Sequence, residues 1–200
     1  MIAGLFFFLG YATQTIGQAA SSVVNTAFFT CLYVVFTPFL ALLFGKKEVN
    51  AKTFIAAIIA IVGIFFLSVL GNGNSFEFHL GDILLILCAI FFALQIIWAG
   101  HFIKDGASPL STSCVMLMTM GILSLVAMII SGEQLPSNIT GITGVLFAAL
   151  FSSGLCSILQ LYGQKHVPSS NASIIMSLET PLACLFAVII LNETLNIYSI

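Results

Sequence analysis

There is no arginine in this chain, only one tryptophan, and only six per cent of its 200 residues are charged. The five lysines form no basic patch and the net charge is −2, so nothing here could neutralise a run of nucleic-acid phosphates. The scarcity of charge also excludes a water-soluble domain. With 60% hydrophobic residues and a mean hydropathy of +1.18, the chain has too little polar surface to cover a globule of this size. It reads as an integral membrane protein, and the lipid bilayer is its first partner. No CxxC or Cys/His spacing occurs; Cys31, Cys88, Cys114, Cys156 and Cys184 all lie in apolar runs. They read as small buried hydrophobes, and no metal or other cofactor is expected. Met1 opens directly on an apolar run with no charged stretch before it, a poor fit to a secretory leader.

What is there is a succession of apolar segments, each near the ~20 residues a helix needs to cross the hydrocarbon core. Seven can be marked, at residues 2–18, 23–45, 51–71, 80–102, 110–132, 139–165 and 170–191. Backbone groups in lipid must be satisfied within a segment, and the runs are too long and too uniform for barrel strands, so the expected class is all-α. Polar breaks separate the segments, the longest being Gly71-Asn-Gly-Asn-Ser75. Lys46, Lys47, Lys52, Lys104 and Lys165 fall only in the connections after the second, fourth and sixth segments. The other connections hold Glu77, Asp82, Glu133 and Glu193 and no lysine. The positive-inside tendency then places residue 1 in the cytoplasm and residue 200 outside, in a multi-pass protein of the cell membrane.

A duplication runs through this pattern. Gln14-Thr-Ile-Gly17-Gln18 with Asn25 returns 146 positions later as Gln160-Leu-Tyr-Gly163-Gln164 with Asn171. The chain has six glutamines, and four of them fall in these two pairs, so chance is a poor explanation. The two copies lie five segments apart, which makes them inverted, as in carriers built from two halves. Residues 1–74 are read as the remnant of a first repeat with three helices, and residues 75–200 as a second with four. Aligning Pro38 with Pro181 needs a three-residue indel and sets Phe36 opposite Glu179.

The polar residues fall on helix faces. Phe7, Tyr11, Gln14 and Gln18 share one face of the first segment, and Ser153, Ser157, Gln160 and Gln164 repeat that spacing in the sixth. Thr26, Thr30, Tyr33 and Thr37 mark the second segment; Ser173, Ser177, Thr180 and Cys184 mark the seventh. Together they describe a shared polar cavity; the alternative is interhelical hydrogen bonding worth about 0.6 kcal/mol per contact. Glu179 is the one acid well inside an apolar run. A charge there costs roughly 2.5–3.5 kcal/mol on insertion scales, so it should face protein or water, either carrying a proton or bonding backbone freed by Pro181. Gln95 and Trp98 share a face of the fourth segment, with Trp98 near its cytoplasmic end, where an interfacial belt residue is the commoner reading. The candidate cavity residues are thus Tyr11, Gln14, Tyr33, Gln95, Trp98, Gln160 and Glu179.

Several stretches resemble one family. Gly10-Tyr-Ala-Thr-Gln-Thr-Ile-Gly17, Asn25-Thr-Ala-Phe-Phe and Leu32-Tyr-Val-Val-Phe-Thr-Pro38 are similar to the third and fourth helices of EamA-type drug/metabolite transporters. Ser173-Ile-Ile-Met-Ser-Leu-Glu179-Thr-Pro181 resembles that family's ninth helix, and Gly81-Asp82 its sixth-helix entry. The resemblance implies part of a ten-helix fold of two inverted halves, with the first two helices and the tenth absent. It also implies secondary-active export of small organic metabolites, amino acids or amphipathic compounds; a proton as coupling ion rests on the reading of Glu179 alone. A non-transporting membrane scaffold is one alternative. An intramembrane enzyme is another, but Glu179 has no evident nucleophile, second acid or metal ligand beside it.

The lysine split makes a prediction about sidedness. Cysteine labelling or reporter fusions should place Lys46–Lys52, Lys104 and Lys165 in the cytoplasm, and Ser75, Asn138 and Ile200 outside. Asn138 found inside would overturn the orientation.

Overall fold

A computed structural model describes residues 1–45, 51–66, 78–132, 138–179 and 181–182. Lys46, Lys47, the 71–75 join, Glu77, Glu133, Thr180, Cys184, Glu193 and residues 196–200 lie outside the described residues. Every described element is a helix: α1 Ile2–Ala19, α2 Val23–Cys31, α3 Tyr33–Leu43, α4 Ala51–Phe65, α5 Leu80–Lys104 and α6 Pro109–Ser131. There follow α7 Ile139–Phe147, a π-helical stretch Ala148–Leu155, α8 Cys156–Gln164 and α9 Ser169–Met176. The seven apolar segments reappear in these helices. The second is interrupted at Leu32, and the sixth passes through α7, the π stretch and α8 without leaving the helix axis.

Helix boundaries follow local chemistry. The Ser22 hydroxyl accepts the Asn25 N–H at 3.0 Å and opens α2; Asn138 accepts the Gly141 N–H at 2.9 Å and opens α7. Pro109 stands in the first turn of α6, where it has no N–H to lose, and Gly132 closes that helix at φ 69°. Among the described residues four helices are long and apolar enough to cross a membrane: Asn25–Leu43, Leu80–Lys104, Pro109–Ser131 and Ile139–Gln164. The remaining three segments fall short for identifiable reasons. Thr13, Gln14, Thr15 and Gln18 dilute α1, while the third and seventh segments continue into residues outside the described set.

α5 is the axis of the assembly. Its Leu85, Cys88, Ala89, Ala93 and Ala99 are sealed from the surface, with α1 and α3 on one side and α8 and α9 at its far end. α1 runs antiparallel to it: Gly17 meets Gly81, and Gly10 meets Phe92. α8 runs parallel to it, since Gln164 reaches the carbonyl of Ile96 at 3.2 Å near the end of α5. The paired segments therefore enter from opposite ends, as an inverted repeat requires. Lys52, Lys104 and Lys165 gather at one end, where Gly100 packs on Ser169 and Thr53 donates to Asn171.

One feature of the duplication was not expected from the prolines. α2 breaks at Leu32, whose N–H bonds the Phe29 carbonyl at 3.2 Å. α9 breaks at Ser177–Leu178, and the Leu178 N–H bonds the Ile175 carbonyl at 3.2 Å. These residues are again 146 apart, so the register carries no indel and Tyr33, not Phe36, stands opposite Glu179. The exposed Cys114 and Cys156 also depart from the expectation of buried thiols, because α6 and the sixth segment turn much of their surface outward.

The α1–α5 contact is backbone against backbone. A Cβ on Gly81 would come within 2.6 Å of the Ala20 carbonyl oxygen, and one on Gly17 within 3.0 Å of the Gly81 oxygen. Gly81→Ala is expected to destabilise the chain in detergent by about 1–3 kcal/mol through overpacking. Gly63→Ala, which meets open space, should be neutral or stabilise by roughly 0.5–1 kcal/mol. Thermal unfolding of the two variants checks this.

Candidate functional site

The site grows from the gap that Gly10 leaves on α1. A Cβ there would lie 2.6 Å from the Phe92 ring, so only glycine lets Phe92 of α5 reach the α1 backbone. Phe92 then meets Tyr11 edge-on at 5.3 Å between centroids and Phe7 at 6.2 Å; Phe7 and Tyr11 are themselves edge-on at 5.0 Å. Phe92 belongs to both apolar clusters of the molecule. On one side lie Ala3, Phe7, Ala99, Met116 and Leu161; on the other lie Tyr33, Val34, Ala89, Ala93 and Ile96. Tyr11 thus meets this ring directly, and Tyr33 belongs to the second cluster that the ring packs against.

Glu179 holds the repeat-register position of Tyr33, 146 residues on. It is the first residue past the break in the seventh segment, as Tyr33 is the first past the break in the second. It makes no hydrogen bond among the described residues and it is exposed. A carboxylate facing hydrocarbon would be costly.

The other expected residues are placed differently. Gln95 is buried, and its Nε2 donates to the Met116 sulfur at 3.2 Å, inside the α5–α6 contact. Trp98 packs near the lysine-bearing end among Phe44, His101 and Phe102, at centroid distances of 6.2, 5.7 and 6.1 Å. Gln14 is half-buried on α1. Gln160 is half-buried, and its Nε2 is sealed from the surface without a hydrogen-bond partner among the described residues. One turn on, Gln164 Nε2 reaches Ile96 while its Oε1 is unpartnered. Two buried amide atoms without partners on one helix are costly, at about 1–3 kcal/mol each, and concentrate on the segment that carries the π-helical stretch. The Thr30 hydroxyl, near the Cys88 thiol, also lacks a partner of good geometry.

A second polar cluster was missed in the sequence. Asp82, fully buried, sits in the first turn of α5 at the end remote from the lysines. One carboxylate oxygen accepts from Ser21 Oγ; the other accepts from Asn25 Nδ2 at 2.9 Å and from the His79 backbone N–H at 2.8 Å. Asn25 Nδ2 also stands 3.4 Å from His79 Nδ1. Asn25 was visible as a repeat marker and Asp82 as a helix entry. The signal that could have joined them is the glycine before Asp82, which admits the α1–α2 turn.

A family model described as "EamA-like transporter family" matches residues 79–200. The chain is 33% identical over 193 residues to an uncharacterized transporter of Archaeoglobus fulgidus, covering 96% of this chain and 61% of the relative. It is 24% identical over 188 residues to the uncharacterized transporter YyaM of Bacillus subtilis, covering 89% of this chain and 60% of the relative. The chain therefore spans about three-fifths of the length of these two relatives. A crystal structure at 13% identity has the same fold, with a TM-score of 0.80 over 99% of this chain and 68% of the other.

The Asp82 cluster gives a graded stability prediction. Asp82→Ala removes one acceptor from three donors, each left unpaired at about 1–3 kcal/mol, and should lower the unfolding temperature most. His79→Ala keeps the backbone N–H bond and should cost far less. Equal losses in detergent melts would mean that the side chain of His79, not its backbone, holds the cluster.

Proposed function

The chain belongs to the EamA-like transporter family, and from that premise we propose that the complete protein is a secondary-active carrier exporting small organic metabolites. Amino acids or amphipathic compounds are the proposed cargo, moved by alternating access of two inverted halves, residues 1–74 and 75–200 contributing to each. The proposed setting is the cell membrane, with the lysine-bearing end cytoplasmic, residue 1 inside and residue 200 outside.

One observation carries the reading. Tyr33 and Glu179 stand at matching register positions of the duplication, each after a tightened helical turn, and Tyr11 and Tyr33 belong to clusters that share Phe92. Helix irregularities at matched positions of an inverted repeat are where carriers of this kind bind cargo. Tyr11, Tyr33 and Glu179 are the core of the proposed cavity, with Gln14 and Gln160 flanking them. Gln95 and Trp98, held in packed contacts, support the wall from behind. The proposed coupling ion is a proton, taken up by Glu179.

The experiment is Glu179→Gln in proteoliposomes of the complete protein. The amide keeps the shape and cannot ionise, so uptake driven by an imposed pH difference should collapse, while exchange of substrate for substrate survives. Undiminished gradient-driven uptake would remove the proton from the proposal and make the carboxylate structural. In the same assay Gln160→Ala should reduce transport without reducing membrane insertion.

A further inference from the structure

The duplication sets an asparagine after each glutamine–glycine pair, Asn25 in the first turn of α2 and Asn171 in the first turn of α9. They stand at opposite ends of the bundle, and each ties its turn to a neighbouring helix. The ties are unlike. Asn25 is 3% exposed, and its Nδ2 donates to the Asp82 carboxylate at 2.9 Å, where the Ser21 hydroxyl donates as well. Asn171 is exposed, and its Oδ1 receives the Thr53 hydroxyl at 3.4 Å. Hydrogen bonds to a carboxylate are roughly twice as strong as those between neutral groups, and a contact of 3.4 Å is already long. The close approaches differ in the same sense. Gly81 brings α5 onto the carbonyls of Gly17 and Ala20, main chain on main chain, whereas Gly100 at the lysine-bearing end meets the hydroxyl of Ser169. A serine side chain can turn to another rotamer, and a helix backbone has no such freedom.

We propose that the Asp82 carboxylate, with Asn25 and Ser21, is a latch that holds the end remote from the lysines closed and leaves the lysine-bearing end the first to part. Asp82 is then a positioning residue: it meets no cargo and acts by fixing the α1–α2 turn on α5. The inference rests on the alternating-access reading above and adds to it which contact biases the two ends. The bonding around the cluster suits a latch that opens and recloses. Ser22 Oγ caps α2 on the Asn25 N–H at 3.0 Å, and the His79 N–H bonds the Asp82 carboxylate within the entry of α5 at 2.8 Å. Neither of these bonds crosses from α2 to α5. Parting the two therefore breaks the side-chain bonds of Ser21 and Asn25 while both helix starts stay capped. Asp82 stands in the first turn of α5, so water takes the vacated places and no helix has to melt.

A reporter lies beneath the latch. Cys88 is fully buried on α5, about 9 Å along the helix from Asp82. In the complete protein with its other cysteines replaced, Asp82→Asn or Asn25→Ala should raise the rate at which a membrane-impermeant maleimide labels Cys88 by about tenfold, the effect of one lost hydrogen bond. The opposite end is read by Ser170→Cys at a buried position beside Asn171, in a background where Cys88 is also replaced. There the same latch variants should slow labelling, because in alternating access one end closes as the other opens. If Asp82→Asn does not accumulate, Ser21→Ala removes a single bond from the cluster and should move both rates the same way by a smaller factor. Labelling that rises at both ends would show general loosening and overturn the latch, as would no change at Cys88. A rise at Cys88 with an unchanged rate at Ser170→Cys would support the latch and remove the coupling of the two ends, and with it the alternating-access reading.

Discussion

The backbone contact between Gly17 and Gly81 is the constraint on which the arrangement depends. Lipid tails are as apolar as leucine, so the helices gain little by hiding side chains from them, and association rests on close packing and interhelical hydrogen bonds. With no Cβ at either position, α1 and α5 come close enough for Ser21 and Asn25 to reach Asp82. The same approach brings Phe92 over Gly10, and Phe92 in turn joins the two apolar clusters. Removal of the glycine contact would loosen the polar cluster at one end and the aromatic group in the middle together.

Much of this was legible in the residues. Hydropathy alone marked the seven segments, because a bilayer leaves the backbone no alternative to helix. The glutamine–glycine pairs marked the duplication, and the lysines marked one end, where Lys52, Lys104 and Lys165 do gather. The helix breaks were not legible. Cys31-Leu32-Tyr33 and Ser177-Leu178-Glu179 contain no glycine or proline, and the nearest prolines lie at different distances from the two breaks. A proline disturbs the helix up to a turn before itself, which reaches Leu178, three residues before Pro181, but not Leu32, six before Pro38. Alignment on the prolines therefore misplaced Phe36 opposite Glu179. The Asp82 cluster was illegible for another reason: its members come from three stretches joined only by the α1–α5 contact.

The aromatic group and the polar stripes divide the proposed work. Tyr11 meets both Phe7 and Phe92 edge to face, which fixes ring positions without consuming polar groups. The unpartnered amide atoms of Gln160 and Gln164 lie on the sixth segment, the one whose helix widens into a π-helical stretch. Its counterpart in the first segment is regular α-helix. The two matched segments are thus similar in sequence but unequal in helix type.

The inequality at Tyr33 and Glu179 has an electrical consequence. Of two positions made equivalent by duplication, one carries a neutral phenol and the other a carboxylate, while the described lysines all stand at one end of the bundle. In a medium of low dielectric an acid without a nearby cation makes the surrounding space negative over several ångströms. Ionised, the acid at Glu179 would impose such a field on its own half of the bundle, and the phenol at Tyr33 would not.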